Sequence, residues 1–418
     1  MQSDESLFRC AGKTVGCAVL FFLLACGGSS GAAQPVAHWT ASWSSAEQQV
    51  CERNLLPALS FEGVTLREVV HLSLGGARIR LRLSNAFGDR PLVLRGVSVA
   101  RPRGDEPGAI AAGTSIAVHF DGAATVSIPA RAEYLSDPIA MRVDALSDVA
   151  VSLVLGNASS CTSSHPGARA TAFLVPGEHA ADEHLAAQES FAHWYFLSGV
   201  EVESSAAQSV VAVLGDSITD GRGSTDNANN RWPDVLASRL APLGIGVANL
   251  GIGGNRILND GLGPSALARF DRDVLGTAGV RTLIVLEGIN DIGSLDRDAE
   301  HSQAEHDTLV EALEEALRQM ALKAHEHGLR VLGATLTPFA GSAYYHPGPR
   351  SEADRQRLNQ WIRTVGPFDG VIDFDALLRD PTHPERLAPD ADSGDHLHPG
   401  PAGHRRMGEA VPLAVLRP

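Results

Sequence analysis

From about residue 209 onward the chain alternates short apolar runs with longer stretches of helical periodicity, and this limits its fold more than any other feature. The apolar runs are 210–214, 247–250, 282–286, 330–336 and 371–374. Among them lie "RWPDVLASRLAPLG", an Ala/Leu/Glu-rich run at 302–327 closed by Gly328, "SEADRQRLNQWIRTV" and "PAGHRRMGEAVPLAVL". Strands joined through helices pair in parallel, because the connection is long enough to bring the chain back in the same direction. Helices cover both faces of such a sheet, and its chemistry gathers at the carboxyl ends of the strands.

Residues 38–204 follow a different pattern. "ARIRLRLSN" alternates Ile79, Leu81 and Leu83 with arginines, the period of a sheet with one wet face. "PLVLRGVSVA", "ATVSIPA", "DVAVSLVLG" and "WYFLSGVEVE" are further strand candidates, and Gly75-Gly76 between two such runs reads as a hairpin turn. No helical stripe here exceeds about two turns. The expectation is an all-β sandwich or jelly-roll-like domain at 38–204, followed by an α/β domain at 205–418.

Ahead of both, Arg9 and Lys13 precede "VGCAVLFFLLAC", a run shorter than the roughly 20 residues that span a bilayer. Residues 1–25 have the form of an export signal and 26–37, with "GGSSGAAQP", that of a flexible tether. "LLAC" at 23–26 resembles a bacterial lipobox, which implies lipidation of Cys26 and membrane contact through that anchor alone. Cleavage nearer Ala33 is the alternative, giving a secreted protein in place of a cell-envelope lipoprotein. Of the five cysteines, Cys10 and Cys17 leave with the signal. Cys51 and Cys161 remain as a pair in a chain bound for an oxidising compartment, and they are expected to form a disulfide. The formal net charge of -15, with no basic stripe, argues against a nucleic-acid partner.

Four stretches fall at predicted strand ends. "GDSITDG" carries Ser217, "NLGIGGNR" a glycine turn, "EGIND" Asn290, and "GDHLHPGPAGH" an Asp-x-x-His pair. In a parallel sheet they converge on one edge. A serine hydroxyl is a weak nucleophile that needs an adjacent base. His398 can take its proton, and Asp395 can turn back three residues to hold the imidazole tautomer. An oxyanion needs fixed donors, which the N–H groups of Ser217 and a glycine of "GIGGN" and the Asn290 amide can supply.

These blocks resemble those of the SGNH (GDSL-type) hydrolases, and "RWPDVLA" with "GIGGNR" resembles exported bacterial members that carry an N-terminal β-rich domain. The resemblance implies a flavodoxin-like α/β/α sandwich and cleavage of carboxylic esters without metal or organic cofactor. It implies Ser217 as nucleophile, Asp395 and His398 as the acid–base pair, and Ser217, Gly254 and Asn290 as oxyanion donors. Gly254 is the glycine five residues after Asn249, the spacing of that family. Ile218 stands where the family name has leucine, and Gly400 where related chains often carry asparagine.

Other polar residues have plainer readings. Ser217 by itself could cap a helix. Asp216 and Asp220 are expected to fix the serine loop by accepting backbone hydrogen bonds, and Glu287 to be a buried, paired carboxylate. His398 is preferred to His396 on the motif. Arg231 and Trp232 read as packing, and Tyr344, Tyr345 and His346 as candidates to line a pocket. Aromatics at 5% and the absence of a long apolar lid favour short acyl groups, acetyl above all. The expected activity is therefore hydrolysis of short esters, on acetylated polysaccharide by analogy. A lysophospholipase or arylesterase, or a non-catalytic glycan-binding lipoprotein, are the alternatives.

Overall fold

The computed structural model describes residues 38–51, 62–104, 106–157, 161–187, 189–204 and 208–416. The expected export signal, the tether and Cys26 lie outside the described residues.

The second half is an α/β/α sandwich. Its parallel strands are, in chain order, Ser209–Gly215, Ile245–Gly251, Val280–Leu286, Arg330–Ala334 and Gly370–Ile372. In space they run second, first, third, fourth, fifth, the flavodoxin-like order. Gly215 lies level with both Gly251 and Leu286, so three strands end together. Helices Trp232–Leu240 and Pro401–Ala410 pack against each other on one side of the sheet, and Gln303–Glu326 against Pro349–Thr364 on the other. The longest helix starts at a capping box in which Ser302 and Glu305 exchange side-chain and backbone bonds. Its buried stripe of Val310, Leu313, Leu317, Met320 and Ala324 follows the helical period. The fourth predicted strand ends two residues early, and Phe374 opens a short helix, Phe374–Leu378, capped by Asp373.

The first half is an antiparallel β-rich domain with no helix among its described residues. One sheet pairs His38–Ser44, Leu197–Ser204, Ile79–Ser84 and Glu133–Leu135. A second, seven-stranded sheet is centred on Glu62–His71, Asp148–Gly156 and Leu92–Ala100. Ile79, Leu81 and Leu83 of the first sheet share one apolar core with Leu66, Val99, Leu153 and Leu155 of the second, which is sandwich packing. The candidate "WYFLSGVEVE" is split at Phe196, whose φ of 62° breaks the strand.

The hairpin expected at Gly75-Gly76 does not form. Glu62–His71 and Ile79–Ser84 belong to different sheets, and the glycines carry the chain from one to the other. The crossing is tight: a Cβ on Gly75 would stand 2.8 Å from the Val143 carbonyl oxygen, and one on Gly76 2.7 Å from the Val202 Cβ. These glycines answer a close approach of backbones, not a reversal.

A third, small sheet joins Gln48–Val50, Thr162–His165 and Trp194–Tyr195. Cys51 and Cys161, at the ends of its first two strands, are disulfide-bonded, with Cα atoms 4.2 Å apart. The two halves keep separate apolar cores within one compact unit, Ala37–Pro418. They are sewn together by Ala41 N–H donating to the Ala278 carbonyl (2.9 Å) and Val247 N–H to Ser73 Oγ (3.1 Å). Ala41 and Ala46 pack into the α/β core.

The bridge closes a loop with a sequence separation of 110. Replacing Cys51 and Cys161 together by serine is expected to cost about 2–5 kcal/mol in denaturant unfolding.

Candidate active site

Ser217 does not cap the helix it introduces. The cap is Asp216, whose side chain accepts from the Ile218 N–H at 2.9 Å, and Ser217 is the first residue of the short helix Ser217–Asp220. Its own N–H therefore has no carbonyl partner within the helix. Gly221, at φ 106°, ends the helix after one turn. Strand and turn together hold the serine at the point where the strand order reverses, between the first and third strands.

The segment between the short helix Phe374–Leu378 and the helix Pro401–Ala410 brings His398 to it. Ser217 Oγ lies 2.8 Å from His398 Nε2, and His398 Nδ1 lies 2.6 Å from Asp395 Oδ2. Asp395 Oδ1 also accepts the N–H groups of Leu397 (3.0 Å) and His398 (2.8 Å). Partial burial raises the Asp395 carboxyl, but the His398 ring and backbone bonds outweigh it and hold the group well below the usual carboxylate range. It is ionised when the ring needs it. Ser217 and His398 are each 6% exposed. His396 is turned outward, bonded through Nδ1 to Asp392 at 2.6 Å.

Gly253, Gly254 and Asn290 line the same cavity as Ser217. Gly254 adopts φ 71°, a conformation that favours glycine. The Asn290 amide is oriented at both ends. Its Nδ2 donates to the Asn255 carbonyl at 2.7 Å, leaving one N–H free for another acceptor. Its Oδ1 accepts the Tyr345 hydroxyl at 2.6 Å. Tyr345 is buried and Tyr344 exposed, and both line the cavity. His346 is absent from that lining.

Beneath the site lies a buried ionic group. The Arg269 guanidinium, 1% exposed, donates to the carbonyls of Gly215 (3.1 Å) and Leu250 (2.6 Å), to Asn255 Oδ1 (2.9 Å) and to Asp273 (3.0 Å). It also faces Glu287 at 3.5 Å. Burial, reinforced by Asp216, pushes Glu287 well up against the opposing pull of Arg269. Burial raises Asp216 in the same way, and Asp291 to about 6. Asp291 accepts from the N–H groups of Ile257 and Leu258 and so ties the third-strand loop to the glycine turn. Asp220 departs from expectation. It bonds not to backbone but to His165 Nε2 of the β domain, at 2.9 Å. The other ring nitrogen of His165 meets the Ala46 carbonyl at 2.9 Å, and its ring stacks on Trp194.

The cavity has a volume of about 860 Å³ and is open to solvent. Gln48, Pro166, Gly167, Arg169 and His193, all from the β domain, form one wall. Among the described residues no group of three or more His, Cys, Asp or Glu side chains is placed to hold a metal ion.

Residues 213–406 match the GDSL-like Lipase/Acylhydrolase family. This segment is a GDSL-like lipase/acylhydrolase domain. No curated protein matches the chain. A carbohydrate acetylesterase from Sinorhizobium meliloti is similar at 15% identity and a TM-score of 0.39, over 50% of this chain and 100% of its own. The M. smegmatis aryl esterase is similar at 17% identity and 0.38, over 50% and 98%. A lipase/acylhydrolase from Enterococcus faecalis is similar at 21% and 0.36, over 49% and 93%.

Three features of the GDSL-like domain escaped sequence reasoning. Arg269 lies in the unremarkable stretch "SALARF", where nothing marks a cation as buried. The Tyr345–Asn290 bond spans 55 residues, and the His165–Asp220 pair joins the two halves.

If Tyr345 positions the Asn290 amide, Tyr345→Phe lowers kcat on a short-chain ester about tenfold and changes KM by less than about twofold. Asn290→Ala should then hide the effect of Tyr345→Phe in the double variant.

Proposed function

We propose that this protein is a serine esterase that hydrolyses short-chain carboxylic esters through an acyl-Ser217 intermediate. The observation that carries the reading is the hydrogen-bonded chain from Ser217 Oγ through His398 to Asp395, 2.8 and 2.6 Å, opening into the cavity of the GDSL-like domain.

Asp395 accepts the Nδ1–H of His398, which leaves Nε2 as the base facing the serine. Ser217 Oγ attacks the ester carbonyl carbon as His398 Nε2 takes its proton. The carbonyl oxygen becomes an oxyanion within reach of the N–H groups of Ser217 and Gly254 and the free N–H of Asn290. On collapse the C–O bond breaks, His398 returns the proton to the leaving alkoxide, and the acyl group stays on Ser217. A water then enters and its oxygen attacks the acyl carbon as His398 takes its proton; on collapse the Ser217–acyl bond breaks, the carboxylic acid leaves and His398 returns the proton to Ser217 Oγ.

Short acyl groups, with acetyl first, suit a cavity walled largely by glycines and polar side chains such as Gln48, Arg169 and Ser342. An acetylated polysaccharide fits its breadth and its opening to solvent. The apolar character of "VGCAVLFFLLAC" and a disulfide, a bond kept in oxidising compartments, support export, with Cys26 as the lipidated anchor.

Hydrolysis of p-nitrophenyl acetate should exceed that of long-chain p-nitrophenyl esters, and Ser217→Ala should abolish it. Asn290→Ala should lower kcat about 10²–10³-fold with KM little changed. Activity that survives in Ser217→Ala would falsify the assignment.

A further inference from the structure

One wall of the catalytic cavity is built by the β domain, and among the described residues two of its side chains, Arg169 and His193, carry a buried nitrogen without a partner. Arg169 lines the cavity and makes no side-chain hydrogen bond or ion pair among the described residues, although its Nε is fully buried. It is the one arginine among the described residues with a buried side-chain nitrogen that lacks a hydrogen-bond partner. Nearby arginines are satisfied: Arg231 by Asp234, and Arg269 and Arg272 by Asp273. The buried Nε is left without an acceptor, which costs free energy, and the two terminal nitrogens, which are not buried, also have no partner among the described residues and are free to meet an anion.

The loop that presents Arg169 is pinned to the GDSL-like domain. His165 is held by Asp220 and the Ala168 carbonyl accepts from Arg231. Asn227 closes the loop, its N–H donating to the Arg169 carbonyl (2.8 Å) and its Oδ1 accepting the Thr171 N–H (2.7 Å). Arg169 itself is left-handed at φ 49°, a conformation costly for arginine that these bonds maintain. The carboxylates on the cavity wall do not compete for it, since Asp220 is bonded to His165 and Asp395 to His398. His193, also on the wall, has an unpartnered, buried Nδ1. Burial, and next the neighbouring His165, lower its ring below the ordinary imidazole range, so it is a neutral polar group there. Arg222 adds a second cation, exposed, at the same cavity. Tyr344, exposed, lines the same cavity with the Arg297 guanidinium over its ring, and its remaining aromatic surface is one on which a sugar ring can lie.

We infer that Arg169 is a specificity-determining residue that binds a carboxylate on the substrate, so that the preferred ester is an acylated acidic sugar, a hexuronate. The inference rests on the esterase reading for its hydrolytic form. The carboxylate is held by a charge-assisted, forked pair of N–H donors while the acyl carbonyl reaches Ser217. No bond to the carboxylate forms or breaks.

The test has two arms. In the first, kcat/KM is measured for an O-acetylated methyl glucuronoside and for the methyl ester of the same sugar. The intact enzyme should prefer the free carboxylate by about tenfold or more, chiefly in KM. Arg169→Gln should bring the ratio close to one, Arg169→Lys should keep part of it, and Arg222→Gln should keep most. In the second arm, binding of glucuronate and of glucose to Ser217→Ala protein is read by calorimetry. Glucuronate should bind more tightly, and Arg169→Gln should abolish the difference. A ratio near one in the intact enzyme, or a preference that persists in Arg169→Gln, overturns the inference. Equal loss in Arg169→Gln and Arg222→Gln also overturns it, in favour of a general surface field. Carboxylate-selective binding without hydrolysis of any ester supports the role of Arg169 and overturns the esterase reading alone.

Discussion

The buried guanidinium of Arg269 is the interaction on which the carboxyl edge of the parallel sheet depends. Parallel strands that end together leave carbonyl groups pointing out of the sheet, and buried carbonyls need donors. Arg269 supplies them to Gly215 and Leu250, the last residues or nearly so of the first two strands, and reaches Asn255 and Glu287 beside the glycine turn and the third strand. Asn255 in turn accepts from Asn290. One cation thus fixes the relative positions of the three loops that carry Ser217, Gly254 and Asn290. Burial raises Asp216, Asp291 and Glu287 around it, while Asp273 bonds to the guanidinium directly.

The β domain does more than accompany the hydrolase. Its small third sheet, stapled at Cys51–Cys161, carries His165 to Asp220 on the one-turn helix that begins with Ser217. The same sheet and its flanking loops bring Gln48, Arg169 and His193 to the cavity. Gln48 bonds across it to the Leu262 carbonyl. The cavity is therefore shared between two apolar cores, and its shape depends on how firmly their seam is held. The seam is held by backbone bonds, by packing of Ala41 and Ala46, and by the Arg231 guanidinium over Trp194.

Much of this was legible from residue order. Strands and helices of the second half followed from periodicity, since an amphipathic helix and a buried strand differ in the spacing of apolar residues. The strand-end location of Ser217 and Asn290 followed from topology, because parallel sheets collect their outgoing loops on one edge, whereas Asp395 and His398 lie beyond a further helix after the fifth strand. Local turn chemistry was less dependable. Gly75-Gly76 has the composition of a hairpin, yet its glycines serve a crossing between sheets. Asp220 has the look of a loop-fixing acceptor, yet its partner comes from 55 residues upstream in the other half.

The sequence by itself determined which atoms are available and the order in which they reach the sheet edge: a hydroxyl, a glycine turn, an amide, a carboxylate and an imidazole. Hydrophobic period and strand order act over a few residues or over whole elements, and both are written along the chain. The tertiary structure alone decided which polar groups meet: Arg269 with two strand ends, Tyr345 with Asn290, His165 with Asp220, and Arg169 with no partner among the described residues. Such pairings depend on ångström-scale distances between segments far apart in sequence. No one-dimensional pattern encodes those distances, because packing of the intervening core sets them.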